Sequence, residues 1–264
     1  TKNIYDTSNP VKTIPYKDTF VLDNFSKTTS VNPCLVENAD IKLKWDTYLE
    51  KNNIDTDGFA FVEFKHTISC TWELVALILN DFNIKISALE LRDTLIQLYS
   101  QNLKKYGEKI TDIWKKEGKP FVFHNLQNDI KGTIDLTGYY LTPFDMFLLF
   151  THYNCPVVIV SRNNIPPDHK KFMSFADADK TESSYIILGG VWNIKKQEIP
   201  PRYGLFKKLG TIKIDPNYFG EKWQTITSNH IKTIEEFYEY AQNPAPKKIP
   251  KLKLKGRKLG KMTL

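Results

Sequence analysis

The segment Ile68-Ser69-Cys70-Thr71-Trp72-Glu73-Leu74-Val75-Ala76-Leu77-Ile78-Leu79 decides how the chain is read. It predicts a turn carrying a cysteine, followed at once by a helix. Val75, Leu79 and Phe82 fall on one side, and Leu74, Leu77 and Ile78 widen the stripe to that of a buried helix. Cys70 then stands at the helix N-terminus, where unpaired backbone N–H groups and the macrodipole favour a thiolate. The thiolate is the nucleophile in cysteine catalysis, so one reading of Cys70 is a catalytic residue. The other is a small buried apolar side chain, which is what most free cysteines are.

On the N-terminal side, Phe59-Ala60-Phe61-Val62-Glu63-Phe64 reads as a strand leading towards Cys70, after a helix over Ile41 to Asn52 and a turn at Asp55-Thr56-Asp57-Gly58. Residues 1–40 read as an extended, loop-rich arm, with turn signals at Asn9-Pro10 and Asn32-Pro33. On the C-terminal side, Ser87-Ala88-Leu89-Glu90 is a capping box. Leu91, Leu95 and Leu98 follow it at helical spacing, with a stop at Gly107 and a short helix at Thr111 to Lys116. Thr142-Pro143-Phe144-Asp145 starts another helix, with Thr as N-cap and Pro in the first turn. It runs to about Tyr153 and turns into Val157-Val158-Ile159-Val160-Ser161, a β-branched run typical of a buried strand. Further strands are expected at Phe172–Phe175 and Tyr185–Leu188, with short ones at Tyr203–Phe206 and Thr211–Ile214. A capped helix from Thr233 to Tyr240 follows. This order predicts an α/β or α+β domain, a small mixed sheet packed by helices, over residues 41–243.

The 264 residues, 41% of them hydrophobic and 13% aromatic, suffice for a packed core. No run approaches the roughly 20 apolar residues of a membrane span. The segment has no charged-then-apolar secretory leader at its start, and it begins with Thr1 rather than Met, so it reads as an excerpt or a processed fragment, which leaves targeting partly open. The three cysteines, Cys34, Cys70 and Cys155, are odd in number and widely spaced, which predicts no disulfide framework and a reducing compartment. The net charge is +7, yet Lys247, Lys248, Lys251, Lys253, Lys255, Arg257, Lys258 and Lys261 supply eight cations with no acid among them. Removing those eight leaves −1 for residues 1–246, so the basicity belongs to a Pro/Lys-rich tail over residues 244–264. Such a tail attracts phosphate by counterion release, an anionic membrane surface or an acidic partner; it equally suits a solvated linker.

Ser69-Cys70-Thr71-Trp72, Leu91-Arg92-Asp93, Tyr139-Tyr140-Leu141-Thr142-Pro143-Phe144-Asp145 and Pro156-Val157-Val158-Ile159-Val160 together resemble the ovarian-tumour (OTU) cysteine protease fold. The last two also look like an OTU-like domain of unknown function found in large DNA viruses. The resemblance covers about Phe59 to Leu188. It implies a cysteine-protease fold, ubiquitin or another protein as partner, and a viral protein of the host cytoplasm or virion. The family usually has Asp-Gly-Asn before its cysteine, where this chain has Thr67-Ile68-Ser69. Its histidine begins the last core strand, where this chain has Ser184. A hydroxyl cannot take the thiol proton at neutral pH, so the resemblance implies the fold more than the activity.

Three functions follow as expectations. The first is a degenerate OTU-like interaction or structural module with a basic tail. The second is an active deubiquitinase-like peptidase with Cys70 as nucleophile and His169 or His66 as base; Asp168 is adjacent to His169, and His66 lies four residues before Cys70. The third is a nucleic-acid-binding protein acting through the tail. His124 lies in a loop without an assigned role, His152 sits at a helix C-terminus, which explains it, and His230 is outside the resemblance. No metal or other cofactor is expected, because no set of ligand-type side chains shows ligand spacing.

Overall fold

In the computed structural model, residues 35–37, 49–50, 53–64, 68–117, 128–135, 139–161, 172–189, 203–208 and 213–242 are described. Six strands form one mixed sheet: β1 (Leu35–Glu37), β2 (Phe59–Phe64), β3 (Val157–Ser161), β4 (Phe172–Phe175), β5 (Tyr185–Gly189) and β6 (Tyr203–Lys208). Their order across the sheet is β1-β2-β6-β5-β3-β4. Among the described strands β3 and β5 pair in parallel, and the other strand pairings are antiparallel. The helices are α1 (Ile68–Asp81), α2 (Ala88–Lys116), α3 (Ile130–Ile134), α4 (Pro143–His152), α5 (Lys222–Ile226) and α6 (Ile234–Gln242), with a 3₁₀ turn at Pro216–Tyr218. The domain is α+β, with helices packed on a mixed sheet.

The uninterrupted apolar run of β3 is explained by cover on both faces. Val157 and Ile159 join Met173, Phe175, Tyr185 and Ile187 in a core shared with α1, α2, α4 and α6. Val158, Val160, Phe172 and Ile186 face the other way, against Leu49, Ile54, Phe59, Ile214, Phe219, Trp223 and Ile226. The second core is the smaller, and its outer wall is an aromatic ladder. Phe59 stacks on Phe219 at 5.5 Å and Phe219 on Trp223 at 6.0 Å.

Several elements follow the sequence closely. The capping box at Ser87 is formed, with Glu90 N donating to Ser87 Oγ at 3.2 Å and Ser87 N to Glu90 Oε2 at 2.7 Å. Gly107 was expected to end that helix, and the structure shows what happens instead. Tyr106 has non-helical angles (φ −121°, ψ 15°), and helical geometry resumes beyond it. A straight helix would hold positions 99 and 114 about 22 Å apart. Trp114 Nε1 nevertheless donates to Tyr99 OH at 3.1 Å, so α2 bends back on itself at Tyr106–Gly107. Two expectations change. Leu35–Glu37, placed in the arm by its sequence, is a strand, and its pairing of Leu35 with Phe64 depends on a partner 29 positions away that no local signal names. Ile214 makes only an isolated bridge to Ser184 rather than a strand. The expected helix over Ile41 to Asn52 lies outside the described residues except at 49–50.

Helix α4 is the centre of the larger core, with every residue from Pro143 to Phe150 buried. Its N-terminus carries Asp145, which has no exposed surface. A buried carboxylate is tolerable only if its oxygens are satisfied. Asp145 Oδ1 accepts from Tyr99 OH at 2.5 Å and Tyr139 OH at 2.9 Å. Its Oδ2 accepts from Thr142 N at 2.8 Å and Thr142 Oγ1 at 3.0 Å. Burial, and after it the Asp145 charge, holds both phenols well above the usual tyrosine range, so they remain donors. Glu117, also fully buried, accepts from Phe144 N at 2.8 Å.

Asp145→Ala strands four buried donors and should lower the unfolding free energy by at least about 3 kcal/mol. Tyr139→Phe removes one of four and should cost about 1–2 kcal/mol. Urea unfolding at neutral pH measures both. A loss for Asp145→Ala no larger than that for Tyr139→Phe contradicts the account.

Candidate functional site

Cys70 is the third residue of α1, in its first turn, as the sequence predicts. Its surroundings are not those of an accessible thiol. The residue is 3% exposed within the larger core, and its sulfur is in a disulfide. That adds a disulfide where the sequence predicts no disulfide framework, and removes the cysteine count as an argument for a reducing compartment. Spacing along the chain carries no information about which cysteines the fold brings together. In this state Cys70 carries no nucleophilic thiol.

The residues after Cys70 are committed to packing. Thr71 Oγ1 accepts from Leu141 N at 3.0 Å, and Trp72 Nε1 donates to the Tyr139 carbonyl at 3.1 Å. The Arg92 guanidinium lies 4.4 Å above the Trp72 ring and donates to the Ile134 carbonyl at 2.5 Å. Thr71 and Trp72 therefore hold the loop 139–142 directly, and Arg92 packs on Trp72. Their shared work is to fix that loop against α1 and α2.

Ser184, which the resemblance sets against a histidine, is fully buried. Its hydroxyl donates to the Ala178 carbonyl at 3.3 Å and lies 3.2 Å from Thr181 Oγ1. The next residue, Tyr185, packs on Phe82 at 5.7 Å, just beyond the C-terminus of α1. Eleven residues of helix rise separate Cys70 from that end, about 16 Å. Among the described histidines, His152 is exposed at the end of α4 with its ring 4.8 Å from that of Tyr153. His66, His124 and His169 lie outside the described residues, as do Cys34, Asp168 and the tail cations Lys247, Lys248, Lys251, Lys253, Lys255, Arg257, Lys258 and Lys261. Cys155 is a free thiol, 1% exposed, and burial pushes it far above the usual range, so it is inert.

One cluster escapes a reading of the sequence. The turn between β4 and β5 brings Asp177 and Asp179 against His230, which is 51 residues from the nearer of them. His230 Nε2 is 3.2 Å from Asp177 Oδ1, and His230 Nδ1 is 3.3 Å from Asp179 Oδ1. The turn has two consecutive left-handed residues without glycine, Ala176 (φ 52°) and Asp177 (φ 54°), a conformation that costs roughly 1–2 kcal/mol per residue. Segment 229–231 lies along the free edge of β4: Ser174 N donates to the Asn229 carbonyl and Ile231 N to the Ser174 carbonyl, both at 3.0 Å. Lys232 Nζ is 2.8 Å from Asp177 Oδ1 and Lys180 Nζ 3.8 Å from it. The Lys232 hydrogen bond holds the Asp177 carboxyl below the usual range. An Asp-x-Asp in a polar turn is too common to signal this cluster, and its histidine comes from a distant segment.

No helix among the described residues is long and apolar enough to cross a membrane. No protein-family model, curated protein or solved structure matches the chain.

Because Cys70 is both buried and disulfide-bonded, iodoacetamide without reductant should leave it unmodified in the folded protein. After reduction and unfolding it should be fully alkylated. Peptide mass mapping of the two samples is the check; stoichiometric labelling of Cys70 in the first would contradict the structure.

Proposed function

We propose that the chain is a non-catalytic interaction module with an OTU-like core and a degenerate site, and that its basic tail docks on nucleic acid or an acidic partner. The observation that carries this reading is the state of Cys70: 3% exposed and disulfide-bonded. A peptidase nucleophile has to be a thiolate open to its substrate. The engagement of Thr71 and Trp72 in holding residues 139–142 supports the same reading, as does the seryl hydroxyl at 184. The tail's eight cations give the module a sequence-independent, salt-sensitive grip.

An active cysteine peptidase acting on ubiquitin or a related isopeptide is the second reading, favoured by the place of Cys70 in the first turn of α1. It requires reduction of the disulfide before any chemistry, and a base from His66 or His169.

A ubiquitin probe with a thiol-reactive C-terminus separates the two. The module reading expects no adduct by intact mass, with or without reductant, from folded protein. An adduct that forms with reductant and disappears in Cys70→Ala would establish the peptidase. For the tail, removal of residues 247–264 should abolish binding to a short DNA duplex or to polyglutamate while leaving the circular dichroism of the fold unchanged. Binding of the whole chain to the duplex should weaken steeply with salt, by up to about 0.9 in log K per log salt for each phosphate contacted. Salt-independent binding, or equal binding without the tail, would remove the tail from the function.

A further inference from the structure

We propose that Asp177, Asp179 and His230 form a binding site for one divalent metal ion of the Zn²⁺ or Mn²⁺ class. The proposal is independent of the module reading above. Each of the three offers a ligand atom, and those atoms lie within 4.8 Å of one another.

Ser174 is fully buried, and its hydroxyl proton is directed to the Thr227 carbonyl at 3.3 Å. Ser174 Oγ is also 3.1 Å from His230 Nδ1. When the hydroxyl proton goes to Thr227, the oxygen accepts from Nδ1, and in that tautomer Nδ1 carries the imidazole hydrogen. Nε2 is then a bare lone pair. It is shut off from solvent and has no hydrogen-bond partner, and the same holds for Asp179 Oδ1; Asp177 Oδ1 is equally shut off and has Lys232 Nζ beside it at 2.8 Å. Nε2 and Asp177 Oδ1, two acceptors, face each other at 3.2 Å. With Nε2 unprotonated, a cation between or beside them makes that contact favourable, and Lys232 Nζ is the one now beside Asp177.

The spacing and the support suit a metal. Ligands about 2.0–2.2 Å from a tetrahedral ion lie about 3.3–3.5 Å from each other, close to the observed separation. A ligating histidine ordinarily has its other ring nitrogen hydrogen-bonded, and here Ser174 does that from a fully buried strand position. The backbone bonds of Asn229 and Ile231 to Ser174 fix the histidine in place. One imidazole and two carboxylates are borderline-to-hard donors, which select Zn²⁺ or Mn²⁺ over thiolate-seeking ions. Asp179, whose side chain is 29% exposed and stands on the Nδ1 side, has to swing to complete the set. Lys232, 50% exposed, is the cation now beside Asp177 and would move out to solvent as the metal enters.

That competition supplies a test with opposite signs at neighbouring residues. The full chain, stripped with chelator and dialysed, is titrated with Co²⁺ by visible absorption and with Zn²⁺ by calorimetry. The expected result is one ion per chain, with d–d bands and no thiolate charge-transfer band. Asp177→Asn and His230→Gln should each weaken binding at least tenfold, whereas Lys232→Met should tighten it. If His230→Gln fails to fold, the opposed pair Asp177→Asn and Lys232→Met still decides. Absence of one-to-one binding at millimolar metal would overturn the proposal. So would affinities that are unchanged across the variants, or protons on both ring nitrogens of His230 in ¹⁵N NMR of the metal-treated protein.

Discussion

A carboxylate with no exposed surface, Asp145, sets the geometry that α1, α2 and α4 share. A charge in the interior is tolerated only when every lone pair that has lost water meets a donor. Here the donors come from three places: Tyr99 on α2, Tyr139 on the loop after α3, and Thr142 at the cap of α4. Moving any one of these elements breaks a hydrogen bond in a dry environment. The bend of α2 belongs to the same arrangement. Tyr99 stands before it, and Trp114 and Glu117 stand after it; Trp114 reaches Tyr99 while Glu117 takes Phe144 N. The two arms of α2 therefore grip the start of α4 from both sides, and Tyr106–Gly107 is where the chain turns to allow it.

The sheet inherits its position from α4. Phe147 packs on Phe175 of β4 at 5.5 Å, and Phe237 of α6 sets its ring edge-on to Phe144 at 5.0 Å and tilted to Phe147 at 5.3 Å. This aromatic seam seats α6 over the end of the sheet near β4. The connection into α6 runs along β4 through Asn229 and Ile231, so the edge strand's polar backbone is covered rather than left open to pairing. The same cover brings His230 to the acidic turn after β4. The cluster at that turn is thus a consequence of how the fold closes its edge, and the buried hydroxyl of Ser174 is what gives the histidine a definite orientation.

Much of this was legible in the sequence where the signal is local. The buried stripe after Cys70, the capping box at Ser87, the Thr142-Pro143 helix start and the β-branched run at Val157 all carry their structure within a few residues. What was not legible depends on partners far along the chain. β1 exists because Leu35–Glu37 finds β2; the short helices Ile130–Ile134 and Lys222–Ile226 are held by tertiary packing rather than by periodicity. The bend in α2 was half visible, since Gly107 marks the place but not the fact that helix resumes. Of the candidate site, the helical setting of Cys70 was legible and its bonding was not. The Asp177–Asp179–His230 cluster had no signal at all, because its members become neighbours only when segment 229–231 is laid along β4.

Cys70 shows how a local rule can be right and still not decide function. The first turn of a helix favours a thiolate, because the unpaired N–H groups lie close to the sulfur. That preference acts only on a sulfur that can ionise and be reached. Burial opposes the charged form, and a disulfide removes the proton-bearing group altogether. The side chains that would shape a substrate cleft beside it, Thr71 and Trp72, spend their polar atoms on Leu141 and Tyr139. Releasing those atoms to bind a substrate would unfasten the loop that presents Tyr139 to Asp145. The position that chemistry would favour for catalysis is therefore tied, through one short loop, to the buried carboxylate on which the helical core depends, and that coupling weighs against using it as an active site.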